Sequence, residues 1–138
     1  MTKFDRIAVF NDTQEWIKKD KKLSESTKKT VESTIFYKEN NDISIDNIEK
    51  NKLPTKIIVS KNSSFDAARE YITEKVAVLN FASATNPGGG VIHGSSAQEE
   101  AICRCSTLYP CLDIEKMWDE FYVPHREADN PLYNDDCI

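Results

Sequence analysis

Glycine is confined to one short stretch of this chain, and that distribution constrains the fold more than any other feature. All four glycines lie between Gly88 and Gly94, and three of them, Gly88, Gly89 and Gly90, are consecutive. Glycine adopts positive φ without a steric penalty and lets the backbone touch a ligand directly. We therefore expect the tightest turn of the chain, and its closest backbone approach to a ligand, in this stretch.

A strand and a helix are predicted on either side of the glycine loop. Residues 76–82 form a nearly unbroken apolar run, which is typical of a strand buried on both faces. Beyond the loop, Ser96 and Glu99 have the spacing of a capping box, which predicts a helix over residues 97–109 that ends before Pro110. Strand, glycine loop and helix N-terminus together offer free amide N–H groups to a phosphate.

The rest of the chain alternates helical and strand patterns. Apolar spacing predicts amphipathic helices over residues 4–18 and 113–122, and a further helix capped by Ser63 or Ser64. Residues 56–60 have the pattern of a second strand. Because strands alternate with helices, we predict an α/β fold, a layered α/β/α domain with a mixed sheet, whose ligand site lies beyond the carboxyl end of a strand.

Two stretches are predicted to be irregular. Residues 24–56 are polar and favour loops around a short β-like piece at residues 34–38, and the polar tail over residues 123–138 also favours a loop. The length suits one domain with one core. We therefore predict a single domain over residues 1–138, in which residues 1–55 form a helical or irregular N-terminal extension.

Charge and hydropathy exclude several classes of protein. The net charge is −5 and there is no basic stripe, which argues against coating DNA or binding a membrane surface. No apolar run reaches the roughly 18 residues that a membrane span requires, and the N-terminus lacks the apolar core of a signal peptide. We therefore expect a cytoplasmic protein that binds neither DNA nor a membrane.

The cysteines and histidines do not form a recognisable metal site. A reducing cytoplasm favours free thiols, and the spacing C-x-C-x5-C matches no standard zinc pattern. Cys103 and Cys105, two positions apart, cannot share one face of a helix. His93 and His125 are the only histidines, and His93 either contacts a ligand or is solvated in the loop. We expect no metal.

Two adjacent acids, Glu99 and Glu100, follow the glycine loop. Adjacent helical residues point about 100° apart, so we expect one carboxylate to face the loop and the other to face elsewhere. The spacing is equally consistent with structural roles, in which Glu99 completes the capping box and Glu100 is a surface acid near a helix N-terminus. The residues alone leave both interpretations open.

A longer motif resembles the signature of microbial-type poly(ADP-ribose) glycohydrolases, enzymes of the macrodomain fold. The motif consists of NFASATNPGGG, then seven residues, then QEE and, further on, RCSTLY. The resemblance extends more weakly upstream through RIAVFNDTQEWI and SFDAARE, so it covers most of the chain. Members of this family continue beyond the equivalent of residues 132–133, so we expect this chain to lack the C-terminal half, including a second phosphate-contacting loop and an aromatic that stacks on adenine.

The resemblance implies a role for each residue of the motif. Glu100, the second glutamate of QEE, is the catalytic acid, and Glu99 assists it by holding the ribose that is cleaved. The implied substrate-binding residues are Asn86, Gly88, Gly89, Gly90 and Gln98.

The implied reaction is hydrolysis of the ribose–ribose O-glycosidic bonds of poly(ADP-ribose), with release of ADP-ribose. Such a reaction passes through an oxocarbenium-like state and needs an acid for the leaving oxygen and then a base for water. One carboxyl group can do both in turn, so no cofactor is expected.

A second interpretation is a non-catalytic module that binds ADP-ribose or takes part in an assembly. Few strands with unpaired edges make a poor isolated sheet. We therefore expect poly(ADP-ribose) or ADP-ribose as ligand and, in this second case, self-association or a partner chain that completes the fold.

Overall fold

A computed structural model describes most of the chain. The described residues are 1–39, 54–128, 130 and 134–138. They belong to two compact units, one made of Met1–Glu39 with Asn80–Ile138 and the other of Asn40–Leu79. Part of the stretch predicted to be loops, residues 40–53, lies outside the described residues. No helix in the described part of the chain is both long and apolar enough to cross a bilayer.

The regular structure is helical. In chain order the elements are α1 (Lys3–Lys19), α2 (Lys21–Glu32), α3 (Ser64–Arg69), a 3₁₀ turn (Val91–His93), α4 (Gln98–Arg104), α5 (Leu108–Leu112), α6 (Glu115–Met117), a π-helical turn (Trp118–Tyr122) and α7 (Val123–Ala128). Helix α3 belongs to the second unit and the other elements belong to the first.

Helix α1 confirms the helix predicted near the N-terminus, but two large apolar residues of the predicted inner face, Phe4 and Trp16, are exposed. Thr2 and Asp5 form a capping box, with the Thr2 N–H donating to Asp5 Oδ2 at 2.7 Å. On the inner face, Phe10 and Ile17 are buried, and the Phe10 ring meets the Tyr109 ring edge-on at a centroid distance of 5.0 Å. The helix therefore packs one side onto the rest of its unit.

Helix α1 is also fixed to the glycine stretch by polar contacts. Arg6 Nε donates to the carbonyl of Gly94 at 2.6 Å, and Thr13 Oγ1 donates to the carbonyl of Arg104 at 2.7 Å. Gly94 has a φ of +73°, and a Cβ atom there would lie 2.6 Å from the carbonyl oxygen of Lys3. The helix thus supports the end of the glycine stretch and the end of α4.

The prediction of loops directly after α1 is wrong, because α2 occupies that stretch. Asp20 caps α2 by accepting the N–H of Leu23 at 2.7 Å. The hydroxyls that suggested a loop are satisfied inside the helix: Thr27 Oγ1 donates to the Leu23 carbonyl at 2.8 Å and Thr30 Oγ1 to the Ser26 carbonyl at 3.0 Å. Serine and threonine therefore do not break this helix.

The C-terminal part of the first unit is also more helical than predicted. After α6 the chain continues through the π-helical turn into α7, where a loop was predicted. Met117, Phe121 and Tyr122 form a buried cluster, and Phe36 packs against it with its ring centroid 6.1 Å from that of Phe121. The apolar spacing that predicts a helix over residues 113–122 therefore places Met117 and Phe121 in the core.

The predicted mixed sheet is wrong for the described residues. Neither residues 56–60 nor residues 76–82 form a strand, and their apolar side chains lie in solvent, with Val59 93% exposed. A strand forms its hydrogen bonds only with a partner, and no described segment pairs with either run. The only β pairing in the described part of the chain is the isolated antiparallel bridge between Tyr37 and Cys137, within the predicted β-like piece.

The second unit contains α3, whose predicted N-terminus is confirmed. The Ser63 hydroxyl accepts the N–H of Asp66 at 3.2 Å, so Ser63 is the cap. Asn62 Nδ2 also donates to Glu70 Oε1 at 2.7 Å, which joins the two ends of the helix.

All four cysteines are free thiols, as predicted. Cys103 is completely buried whereas Cys105 is exposed, so these two residues lie on different faces of the chain. Cys111 is buried and Cys137 is exposed.

Candidate active site

The glycine loop and the start of α4 enclose a cleft of about 550 Å³, within the usual size of a ligand pocket. Its lining residues are Ser83, Asn86, Pro87, Gly89, Gly90, Ile92, His93, Glu100, Tyr109 and Trp118. The structure therefore brings together four of the residues predicted for the site: Asn86, Gly89, Gly90 and Glu100.

The three side chains of the QEE motif each accept a hydrogen bond from the preceding loop. The bonds run from the N–H of Phe81 to Gln98 Oε1 (2.7 Å), from the N–H of Ser83 to Glu99 Oε2 (2.7 Å) and from the N–H of Gly90 to Glu100 Oε1 (2.9 Å). The expectation that only one of the two acids faces the loop is wrong. The loop crosses over the first turn of α4, so both carboxylates reach it from different points of that turn.

Helix α4 begins without the predicted capping box. Its N-cap residue is Ala97, which has no side chain to cap the helix, and the carboxylate of Glu99 is bound to the Ser83 N–H instead. The helix also ends earlier than predicted, at Arg104. Pro110 lies inside the first turn of α5, where a missing N–H removes no intrahelical hydrogen bond.

The glycine loop is shaped by the two carboxylates beneath it. Gly88 and Gly89 have φ values of +66° and +58°, which favour glycine over other residues. A Cβ atom on Gly89 would lie 2.6 Å from Glu100 Oε1 and 3.2 Å from Glu99 Oε2. Glycine is therefore required here so that both acids can pack against bare backbone.

The expectation of free amide groups in this loop is wrong at Gly89 and Gly90. The N–H of Gly89 donates to the carbonyl of Asn86 at 3.0 Å, and the N–H of Gly90 donates to Glu100. The loop therefore uses these amides to fix its own shape and the orientation of the Glu100 carboxyl group.

Burial controls the electrostatics around the two acids. Both Glu99 and Glu100 are buried in α4. Burial raises the pKa of Glu99; the Ser83 N–H opposes this rise and the nearby charge of Glu100 adds to it. Burial, with the charges of both acids, also raises the pKa of the Cys103 thiol beneath them to about 12. Burial therefore favours the protonated form of Glu99.

Arg126 and Trp118 are among the residues at the cleft that were not predicted from the sequence. Arg126, on α7, donates from Nε to the carbonyl of Thr85 at 2.7 Å and from Nη2 to Asn86 Oδ1 at 2.5 Å. Its guanidinium lies over the ring of Trp118, which lines the cleft, 4.7 Å from the ring centroid. No local pattern signals these contacts, because Trp118 fits a core stripe and Arg126 lies in a stretch that resembles a loop.

Tyr109 and His93 also line the cleft. Burial and a hydrogen bond to Asp113 raise the pKa of Tyr109 to about 12, so its hydroxyl stays protonated at neutral pH. His93 is exposed, which is compatible with both interpretations of this residue. Among the residues that the structure describes, no three or more His, Cys, Asp or Glu side chains are grouped as a metal ion would require.

Comparison with known proteins places this chain in a family. The family model for the microbial-type PARG catalytic domain matches residues 8–138. Two solved structures of poly(ADP-ribose) glycohydrolase (PARG) from Thermomonospora curvata are each 29% identical to the chain and cover 96% of it. The first superposes on the chain with a TM-score of 0.83, and the chain covers 53% of its length. The second, bound to the inhibitor ADP-HPD, has a TM-score of 0.80 and is covered over 51%.

The chain therefore spans about half the length of the solved structures that it matches. No curated protein gives a match. The likeness supports a macrodomain-like fold, of which the described helices are one part. Because the family match covers nearly the whole sequence, and the solved structures agree with it, the chain belongs to the microbial-type PARG catalytic domain family.

Proposed function

We propose that this chain carries the catalytic acid of a poly(ADP-ribose) glycohydrolase, which hydrolyses ribose–ribose O-glycosidic bonds and releases ADP-ribose. The observation that carries the proposal is the position of Glu100. Its carboxyl group is buried, lines the cleft and is held against the glycine loop by the N–H of Gly90. The related enzyme that binds the inhibitor ADP-HPD supports a ligand of this class.

In the proposed reaction Glu100 works first as an acid and then as a base. It gives its proton to the 2′-oxygen that leaves, while the sugar develops oxocarbenium character. The resulting carboxylate then takes a proton from the water that attacks the sugar. The hydrogen bond from Gly90 fixes the carboxyl group during both steps, because a carboxyl oxygen accepts that bond in either protonation state.

The remaining residues of the motif bind the substrate or hold the loop. Glu99, buried beside Glu100, binds the ribose that is cleaved. Gln98 acts through the loop, since its Oε1 accepts the Phe81 N–H. The residues proposed to contact the substrate directly are Asn86, Gly89 and Gly90, which line the cleft, and Gly88 is proposed to shape the loop that carries them.

A non-catalytic binding or assembly module is the second candidate. The observation that favours it is that the chain spans about half of its solved relatives and that two apolar runs, residues 56–60 and 76–82, have no strand partner in the described part of the chain. In this case the chain binds ADP-ribose, and self-association or a partner chain completes the sheet.

Hydrolysis of labelled poly(ADP-ribose) distinguishes the two candidates. The chain is incubated with polymer beside Glu100→Gln, which keeps an oxygen that accepts the Gly90 N–H but cannot transfer a proton. Glu115→Gln, at an exposed glutamate of α6, is the matched control. Release of ADP-ribose by the wild type and the control, and not by Glu100→Gln, supports the enzyme. Binding without release supports the module, and neither binding nor release contradicts both.

A further inference from the structure

Asn86 is held at the edge of the cleft by a side chain from a distant part of the sequence. Arg126 Nη2 donates to Asn86 Oδ1 at 2.5 Å, and Arg126 Nε donates to the carbonyl of the neighbouring Thr85 at 2.7 Å. The guanidinium group is planar and rigid. Two hydrogen bonds from its N–H groups therefore fix the position of the guanidinium and of the two acceptors. The backbone at Thr85 and the side chain of Asn86 are thus positioned together.

The chemistry of arginine determines which way the Asn86 amide points. Guanidinium has only donors, so the carbonyl oxygen of the amide must face Arg126 and the NH₂ group must face away from it. One N–H of that group is used locally, because Asn86 Nδ2 donates to Thr85 Oγ1 at 3.0 Å. Within the described part of the chain the other N–H has no partner, and Asn86 lines the cleft.

Trp118 supports the arginine from below. The Arg126 Cζ atom lies 4.7 Å from the centroid of the Trp118 ring, within the range of a cation–π contact. Trp118 is itself anchored, since its Nε1 donates to Asp113 Oδ1 at 2.8 Å. The ring therefore limits the directions in which the guanidinium can move and keeps its fork aimed at residues 85 and 86.

We propose that Arg126 is a positioning residue that presents Asn86 to the cleft as a hydrogen-bond donor, so that Asn86 selects an acceptor oxygen of the bound ADP-ribose unit. Arg126 acts through Asn86 and not by direct contact with the ligand. This inference rests on the proposed function, because it assigns a ligand atom type within the same cleft.

A double-mutant cycle with isothermal titration calorimetry of ADP-ribose tests the proposal. Arg126→Lys keeps the positive charge but loses the fork, and Asn86→Ala removes the amide. We expect each single variant to weaken binding by roughly 10-fold, as for loss of one hydrogen bond to a well-placed polar group. We expect Arg126→Lys to have no further effect when Asn86→Ala is already present. Arg69→Lys, at an exposed arginine of α3, is the matched control and should bind as the wild type does.

Binding of ADP distinguishes the two kinds of acceptor oxygen. If Asn86→Ala weakens ADP and ADP-ribose equally, the acceptor is an oxygen of the shared ADP part, and an unchanged loss with adenosine absent (binding of inorganic pyrophosphate) assigns it to a phosphate. If it weakens only ADP-ribose, the acceptor is a hydroxyl of the terminal ribose. Wild-type binding by Arg126→Lys, or losses that add fully in the double variant, would overturn the proposal.

The side-chain amide signals of Asn86 in a ¹⁵N-correlated NMR spectrum give a reading that needs no ligand. An amide fixed at both ends should show two well-separated proton signals, and Arg126→Lys should bring them towards the positions of a free asparagine while the melting temperature stays close to that of the wild type. A wild type that does not bind ADP-ribose contradicts the proposed function. In that case unchanged Asn86 signals in Arg126→Lys overturn the positioning role, and shifted signals support it.

Discussion

Replacing Gly89 with alanine tests whether the glycine loop exists to accommodate the two carboxylates. The φ of Gly89 is +58°, and a Cβ atom there would lie 2.6 Å from Glu100 Oε1 and 3.1 Å from Glu100 Cδ. Glu100 is buried and bonded to the Gly90 N–H, so it cannot move aside without losing that bond. The added methyl group therefore displaces the proposed catalytic acid.

Two costs contribute to the loss of stability in Gly89→Ala. A left-handed backbone conformation costs a non-glycine residue about 1–2 kcal/mol. Loss of the hydrogen bond between the Gly90 N–H and the Glu100 carboxyl group leaves a donor without a partner and costs about 1–3 kcal/mol more. We therefore expect the free energy of unfolding to fall by about 2–5 kcal/mol. We also expect hydrolysis by the folded fraction to fall by roughly 100-fold, the effect of misplacing a catalytic group by about 1 Å.

Urea unfolding and polymer hydrolysis measure the two effects, with Gly94→Ala as the matched control. Gly94 also has positive φ, +73°, and a Cβ atom there would meet the carbonyl oxygen of Lys3 and not the acids. Gly94→Ala should lose stability and keep its hydrolysis rate per folded molecule. A Gly89→Ala protein that unfolds within about 0.5 kcal/mol of the wild type, or one with an unchanged hydrolysis rate, would refute this account of the loop.

Two further predictions concern titration and thiol reactivity. Burial raises the folded-state pKa of Glu99 above its ordinary value of 4.5, so the stability that a protonated Glu99 supports is present at low pH and is lost as the pH rises through the folded-state pKa. Glu99→Gln should remove this loss. Urea unfolding between about pH 4 and pH 8 should therefore show that the free energy of unfolding of Glu99→Gln exceeds that of the wild type mainly at the upper end of the range. A difference that stays constant across the range would contradict this prediction. Iodoacetamide at about pH 8 should label the exposed Cys105 and Cys137 of the native protein but not Cys103, which is buried and has a pKa of about 12. Mass spectrometry measures the labelling, and rapid modification of native Cys103 would show that α4 opens.

The features that could be predicted from the sequence are those with local signals. Helix α1 follows from its apolar spacing, and the Ser63 cap follows from a short polar residue ahead of a helical pattern. Helix α2 was missed because its serines and threonines resemble a loop, although each hydroxyl that bonds a carbonyl one turn back leaves the helix intact. The difference lies in bonds that only the folded helix provides.

The predicted strands failed because a strand depends on what lies beside it. An apolar run such as residues 56–60 has the composition of a buried strand, but its hydrogen bonds need a second strand that no described segment supplies. Helices satisfy their backbone groups internally, and this is why the described regular structure is helical.

The site was predictable where the motif is contiguous and not where the fold assembles it. The spacing of the three glycines from Glu99 and Glu100 indicated a loop next to two acids, and the structure joins them through Gly90. Arg126 reaches Asn86 across 40 positions of sequence, through a helix that the polar tail did not reveal. The position of Arg126 depends on tertiary packing, and no periodic pattern in the sequence indicates it.

The three hydrogen bonds between the QEE side chains and the preceding loop have a mechanical consequence. Phe81, Ser83 and Gly90 are tied to three successive residues of a single helical turn. Any displacement that widens the mouth of the cleft must pull on that turn and so carry both acids with it. Access to the cleft and the position of the acids are therefore coupled. A ligand that pushes the loop outward also moves Glu100, the proposed proton donor, whereas a ligand that fits beneath the closed loop meets Glu100 in place.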